Sequence, residues 1–260
     1  MLKKILPLLL TISFVSACAV SPTGRKQFIF MPEAQIDQMG LQAFDNLKKE
    51  KKLSNNPRYI QAAQCITQAI TRETGGNWEV LVFEDNSPNA FALPGNKIGV
   101  HTGMLQLVDN QEQLAAVIGH EIGHVLAKHS NERASQEMAV NQGMALIQAV
   151  SAPQTALGQT AVGLLGLGAQ YGVLMPYSRL HESEADVIGV DLMAKAGFDP
   201  RYSISLWQKM DRAARGQQPI EFMSTHPSHS TRIQELEQHM PAAMQLFQQA
   251  QAMGKRPRCI

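Results

Sequence analysis

At 260 residues, with 23 basic and 22 acidic side chains, the chain is long enough for one sizeable domain or at most two small ones. So even a charge balance argues against a nucleic-acid or polyanion partner. Aromatic residues make up only 6% while Ala, Gln and Met are plentiful, a composition that suits a mostly helical protein.

The first 17 residues stand apart from the fold. Lys3 and Lys4 precede an apolar run from Ile5 to Val15, a signal-peptide pattern too short for a spanning helix. Val15-Ser16-Ala17-Cys18 resembles the bacterial lipobox, which predicts cleavage before Cys18 and its acylation; an ordinary secretory signal cut nearby is the alternative. Several acyl chains would anchor the chain to a membrane stably, where one binds only marginally. In that resemblance Ala19, not Asp, favours the periplasmic side of the outer membrane. The expected organisation is a signal peptide over 1–17, a lipidated N-terminus and tether over 18–31, and one domain over 32–260. Cys65 and Cys259 remain, and an oxidising compartment permits a disulfide between them; a buried Cys65 with a free tail thiol is the other reading.

Ser21 to Phe30 reads as a tether with a short extended piece, and Pro32 opens a helix to about Lys52. Asn56 caps a second helix with Pro57 at its first position, its apolar stripe formed by Tyr59, Ala63, Ile66 and Ile70 and its end marked by Gly75-Gly76. Trp78–Glu84 reads as a strand, Asp85–Pro88 as a turn, Asn89–Ala92 as a further extended segment, and Lys97–His101 as another strand. These pieces predict a small sheet. Asn89, Ala90, Phe91 and Ala92 are the candidate edge for binding a substrate backbone by strand addition, with an ordinary structural strand the equal alternative.

The next helix carries His120-Glu121-Ile122-Gly123-His124. Asp109 with Glu112, or Asn110 with Gln113, provides a capping box, and Leu114, Val117, Ile118, Val125 and Leu126 provide apolar contacts. Histidines four apart project from one helical face and can reach a single zinc ion, with Glu121 beside them. Such a site usually takes a third protein ligand and keeps an open position. A third His at the metzincin spacing is absent, since position 127 is Ala and position 130 is Ser. No charged residue occurs between Glu137 and Arg179. Interspersed Asn and Gln leave no clean apolar run of ~20 residues there, so helices or a mobile loop across the catalytic helix are expected. Ser178-Arg179-Leu180-His181-Glu182-Ser183-Glu184-Ala185-Asp186 then supplies the carboxylates. Glu182 and Asp186 share a helical face, one able to ligate a metal and the other to accept the free ring N–H of His120. Pattern alone leaves Glu182 and Glu184 as competing ligands.

Taken together, Thr23-Gly24-Arg25, Asn89-Ala90-Phe91-Ala92-Leu93-Pro94-Gly95, the two-histidine motif, Ser178-Arg179 with Glu182 and Ala185-Asp186, and Thr225-His226-Pro227-Ser228 with Arg232-Ile233 carry a resemblance. The chain resembles the zinc metallopeptidases that include the CAAX prenyl endopeptidase, the HtpX heat-shock protease and the soluble bacterial lipoprotein peptidases LoiP and BepA. That resemblance implies an α+β, mostly helical, gluzincin-type domain with a small β-sheet beside the metal-binding helix. It implies one zinc ion per chain held by His120, His124 and Glu182, with Glu121 as general base and Asp186 and Arg232 supporting the ligands. It also puts His226 near the cleft, to stabilise an oxyanion or to take the fourth zinc position at rest. His129, His181, His229 and His239 are read as non-ligands. The function expected is a periplasmic endopeptidase acting on misfolded or misassembled envelope proteins, with the outer-membrane assembly machinery as a further partner. The rival is a catalytically silent, zinc-stabilised lipoprotein that assists outer-membrane assembly like a chaperone. Glu121 argues against it, because a purely structural zinc needs no base.

Overall fold

The computed structural model describes residues 18–151, 178–214, 221–227 and 231–260. The signal-peptide reading, most of the uncharged stretch after Ser151, Ser228 and His229 therefore lie outside the described residues, as does the side chain of Cys18. Two strands come first, β1 (Cys18–Val20) and β2 (Lys26–Phe28), followed by helices α1 (Glu33–Glu50) and α2 (Pro57–Thr71). Then come strands β3 (Glu79–Phe83), β4 (Ala90–Leu93) and β5 (Lys97–His101), and helices α3 (Thr102–Leu107), α4 (Gln111–Leu126) and α5 (His129–Ser151). The remaining helices are α6 (Arg179–Lys195), α7 (Tyr202–Ala214), α8 (Glu221–Thr225) and α9 (Arg232–Ala252). Among the described residues no helix is long and apolar enough to cross a membrane. The architecture is the expected α+β, mostly helical one.

The three-stranded sheet has the order β3-β5-β4, with β5 parallel to β3 and antiparallel to β4. The outer edge of β3 is occupied by the preceding chain, through Ser54 N–H to Val82 O and Glu84 N–H to Lys52 O, both 2.8 Å. The opposite edge, β4, turns toward α4. Asn110 caps α4 by accepting from Gln113 N–H at 2.9 Å, while the Gln113 side-chain oxygen accepts from Asp109 N–H at 2.8 Å. Of the two possible caps, Asn110 is thus the one used. Leu114, Ile118 and Ile122 of α4 are fully buried in one core with Ala63, Ile66 and Ile70 of α2 and with Ile98 and Val100 of β5.

The segment read as a tether folds instead as an antiparallel hairpin, β1 with β2, docked on α5. Its anchors are polar and distant in sequence. Gln27 is buried and donates to Ala127 O, and Arg25 reaches Glu132 and Glu184. No apolar periodicity announces such contacts. At the other end of the chain a disulfide joins Cys65 of α2 to Cys259, with Cα atoms 5.5 Å apart. Gln111, at the start of α4, also holds that tail by donating to Pro257 O and accepting from Cys259 N–H.

The contact that positions the site is the crossing of α4 over α6. A Cβ built on Gly189 would lie 2.6 Å from His120 N, one on Gly119 2.7 Å from Gly189 O, and one on Gly123 2.8 Å from Ala185 O. The two backbones touch, and only hydrogen fits between them. The α6 helix ends in a Schellman motif, Phe198 N–H bonding Met193 O and Gly197 N–H bonding Ala194 O, with Gly197 at φ +94° and Phe198 fully buried. Substituting Gly189→Ala should force the helices apart by some tenths of an ångström. We expect a stability loss of about 1–3 kcal/mol by urea denaturation, together with weakened metal retention; unchanged values for both would contradict the crossing.

Candidate metal centre

Helix α4 presents His120, Glu121 and His124, each 2% exposed. Across the crossing, α6 presents Glu182 and Asp186, and His226 approaches from the end of α8. His120 Nε2 lies 3.0 Å from His124 Nε2 and 3.2 Å from His226 Nδ1. The Glu182 carboxylate lies 3.4 Å from His120 Nε2 and from His124 Nε2, and 3.1 Å from His226 Nδ1. These four residues form a group able to hold a metal ion.

The chemistry of the donors decides what suits them. His120 Nδ1–H donates to Asp186 Oδ1 at 2.9 Å, so in the neutral ring Nε2 carries a lone pair aimed into the group. Ring nitrogens converging on a carboxylate repel unless a proton or a metal cation lies among them, and in the metal-free group the Asp186 and Glu182 carboxylates hold His120 up to about 9 against its burial. A zinc ion about 2.0–2.1 Å from tetrahedral N and O donors sets donor–donor distances near 3.3 Å, in line with those seen. Charge leads to the same conclusion. Glu182 and Asp186 are buried carboxylates on the guanidinium of Arg232, which is 1% exposed, and Glu121 is a third buried carboxylate beside the group, so a cation among them offsets an excess of negative charge. Among the described residues, Glu121 Oε1 and Glu182 Oε2 have no hydrogen-bond partner, though Arg232 forms an ion pair with the latter at 3.0 Å. The residues fit zinc.

The surroundings tune each group. Arg232, from α9, donates to Asp186 Oδ1 at 2.8 Å and through Nε to Oδ2, lies 3.0 Å from Glu182 Oε2, and stacks 3.4 Å over the ring centre of Trp207. Burial works against the charged form of Glu182, but His120, His124 and His226 overcome it and hold its carboxyl well below the usual range. Asp186 is likewise held down despite burial, by Arg232 and His120. Burial pushes Glu121 up and His124 down. Phe222 stacks on His226 at 4.5 Å and Trp207 meets His120 edge-on at 5.6 Å, closing the apolar side of the group.

Of the predicted site residues, His120, Glu121, His124, Glu182, Asp186, His226 and Arg232 come together in one buried cluster. The β4 edge joins them at a single point, where Ala92 N–H donates to Glu121 Oε2 at 2.9 Å. Because that N–H faces Glu121 and not β5, Ala92 is an outward position of the ladder. Ala90 is buried, Phe91 stacks on Phe83 at 5.9 Å, and Asn89 donates to Glu221 at 3.0 Å. Trp207 and Phe222 were not legible as site residues, since a single aromatic on a helix face reads as core. Behind His124 lies a second polar layer of Arg25, Glu132, His129, His181 and Glu184. His129 and His181, read as non-ligands, do lie outside the metal-binding group.

The class that this fold and site define is a metallopeptidase with two histidines and a glutamate on crossing helices. The family profile described as Peptidase family M48 matches residues 54–240, and the chain belongs to that family. Among curated proteins it is 41% identical over 194 residues to the mitochondrial metalloendopeptidase OMA1 of Schizosaccharomyces pombe, covering 73% of this chain and 55% of that protein. It is 30% identical over 256 residues to human OMA1, covering 92% and 49%. It is 26% identical over 205 residues to the beta-barrel assembly-enhancing protease of Escherichia coli K12, covering 75% and 42%. The chain spans about half the length of these relatives.

The second layer predicts a pH response. Glu132 sits well below its ordinary value of 4.5, because the His181 and Arg25 hydrogen bonds outweigh burial. Its folded pKa is depressed, so its contribution is complete above pH 4.5 and is lost as pH falls toward the folded value. Burial pushes His129 from 6.5 down to about 4, despite its bond to Glu184, which adds a loss of the same sign between those values. Urea denaturation of the chelator-treated chain between pH 3 and 7 should show stability falling on the acid side, less steeply in Arg25→Gln. Parallel curves for the two would contradict this assignment.

Proposed function

We propose that this chain is a zinc-dependent metalloendopeptidase that faces the bacterial periplasm, lipid-anchored at Cys18 to the outer membrane, and degrades misfolded or misassembled envelope proteins. The observation that carries the enzymatic reading is Glu121, a buried carboxylate with one oxygen held by Ala92 N–H and the other without a hydrogen-bond partner among the described residues, beside a metal-binding group. A structural zinc site has no use for such a base. Membership of Peptidase family M48 and the metalloendopeptidase activity for which the OMA1 relatives are named support it. The periplasmic address and quality-control role draw on the basic and apolar start of the chain, the lipobox-like Val15–Cys18, and the name of the beta-barrel assembly-enhancing protease. The OMA1 relatives work in mitochondria by name, so the lipoprotein branch is a reading of the N-terminus rather than of overall similarity.

Zinc held by His120, His124 and Glu182 would polarise the scissile carbonyl and acidify water. Glu121 accepts the proton of the attacking water and delivers it to the leaving amine, a task for which burial has already raised its proton affinity. Asp186, held by Arg232, keeps His120 in the tautomer whose Nε2 faces the site. An extended substrate adds along β4 beside Ala92, whose N–H then has two competing acceptors, Glu121 and the substrate backbone. His226 lies with His120, His124 and Glu182 in one four-donor group, which supports the fourth zinc position at rest over oxyanion stabilisation as its role.

Cleavage of an unfolded general protein substrate by the zinc-loaded full chain tests the reading. Glu121→Gln should lower the rate by about 100-fold or more while retaining zinc. Equal cleavage by the variant would remove Glu121 from the mechanism, and zinc binding with no cleavage by the wild type would favour the chaperone-like alternative.

A further inference from the structure

We propose that His129 is a positioning residue for the metal centre, orienting the ligand His124 through a hydrogen-bond relay that ends on Glu184 and the N-terminal hairpin. The inference rests on the zinc reading above.

The relay follows from which atoms can donate. Glu184, a carboxylate, accepts from His129 Nε2–H at 3.1 Å. In the neutral ring His129 Nδ1 then carries a lone pair, and it lies 2.9 Å from His124 Nδ1. Two N–H groups cannot face each other at that distance, so the proton belongs to His124 Nδ1 and its Nε2 lone pair is directed at Glu182 and His120. The two ligands are thus served by one helix in two ways. Asp186 holds His120 directly, and Glu184, two residues earlier on α6, holds His124 through an intervening imidazole.

The backbone is shaped for this contact. In a continuous helix, residues five apart point about 140° away from each other, and the rings of positions 124 and 129 could not meet. The chain breaks between them. Lys128 adopts φ +54°, a left-handed conformation that a lysine rarely takes, and α5 starts at His129 with its ring turned back on α4. His129 is fully buried and stacks on His181 at 4.4 Å. Glu184 is fixed in turn by Arg25 Nε at 2.6 Å and by the hydroxyls of Ser21 and Thr23, while Arg25 also pairs with Glu132 through 2.7 and 2.9 Å bonds. Seven polar residues, five of them buried, are packed behind a single ligand.

Supporting layers of this kind are worth about 10–100-fold in metal affinity. In the purified full chain, zinc affinity is measured by chelator competition for the wild type, His129→Phe and His129→Gln. The phenylalanine keeps the ring and removes the relay; the glutamine retains both an acceptor and a donor. We expect His129→Phe to weaken zinc binding by about 10-fold or more and His129→Gln to recover most of the loss. In the metal-free chain, the ring-nitrogen NMR shifts of His124 should report the Nδ1–H tautomer in the wild type and in His129→Gln, and a shift toward Nε2–H in His129→Phe. Zinc affinity within twofold of wild type in His129→Phe, or an unchanged His124 tautomer in that variant, would overturn the relay. Should His129→Phe not fold, a His129→Gln chain that folds but loses zinc to the same extent as one lacking His124 would overturn it as well. Failure of the wild type to bind zinc would instead overturn the metal reading beneath it.

Discussion

Everything in the site depends on two helices touching at their backbones. Glycine at positions 119, 123 and 189, with Ala185, lets α4 and α6 approach until a single added carbon would strike main-chain atoms. Only at that separation can side chains as short as Asp186 and Glu182 reach the imidazoles of the facing helix. A wider crossing would leave the same residues on the same faces and still separate the donors. The sheet and the α2 core act through this contact, because they fix α4 from its other side.

Close approach brings an electrostatic cost that the surrounding residues offset. Histidines, carboxylates and an arginine are all withdrawn from water, and a buried charge is tolerated only when it is paired and hydrogen-bonded. Arg232 meets this need by answering Asp186 and Glu182 at once while its flat face rests on Trp207. The second layer repeats the arrangement, with Arg25 between Glu132 and Glu184. The hairpin that carries Arg25 is thereby part of the domain. Glu121 Oε1, 3.4 Å from His226 Nε2 and without a hydrogen-bond partner among the described residues, is the inner-layer carboxylate oxygen that Arg232 does not answer.

Much of this was legible in the residues themselves. The 3.6-residue period placed His120 with His124 and Glu182 with Asp186, and the two alternative caps, Asp109 with Glu112 or Asn110 with Gln113, marked the start of α4 to within one residue, the structure using Asn110. Helical spacing could not say whether Glu182 or Glu184 reached the histidines, since that depends on which face of α6 the crossing covers; the resemblance supplied the answer, and the structure sends Glu184 the other way, to His129 and Arg25. The six-residue helix α3 escaped notice because Thr102-Gly103-Met104 carries no period and starts with poor helix formers. The docking of Ser21–Phe30 was hidden because it relies on polar contacts made with residues more than a hundred positions away. His129 reads as an ordinary histidine until the left-handed Lys128 turns it around.

The central claim, that this crossing assembles a zinc site from nitrogen and carboxylate donors, is tested most directly by zinc-edge X-ray absorption with metal analysis on the purified full chain. The account predicts one zinc per chain, imidazole scattering, and a nitrogen and oxygen shell at about 2.0–2.1 Å. Sulfur scattering at about 2.3 Å, or a chain that retains no stoichiometric zinc, would contradict it.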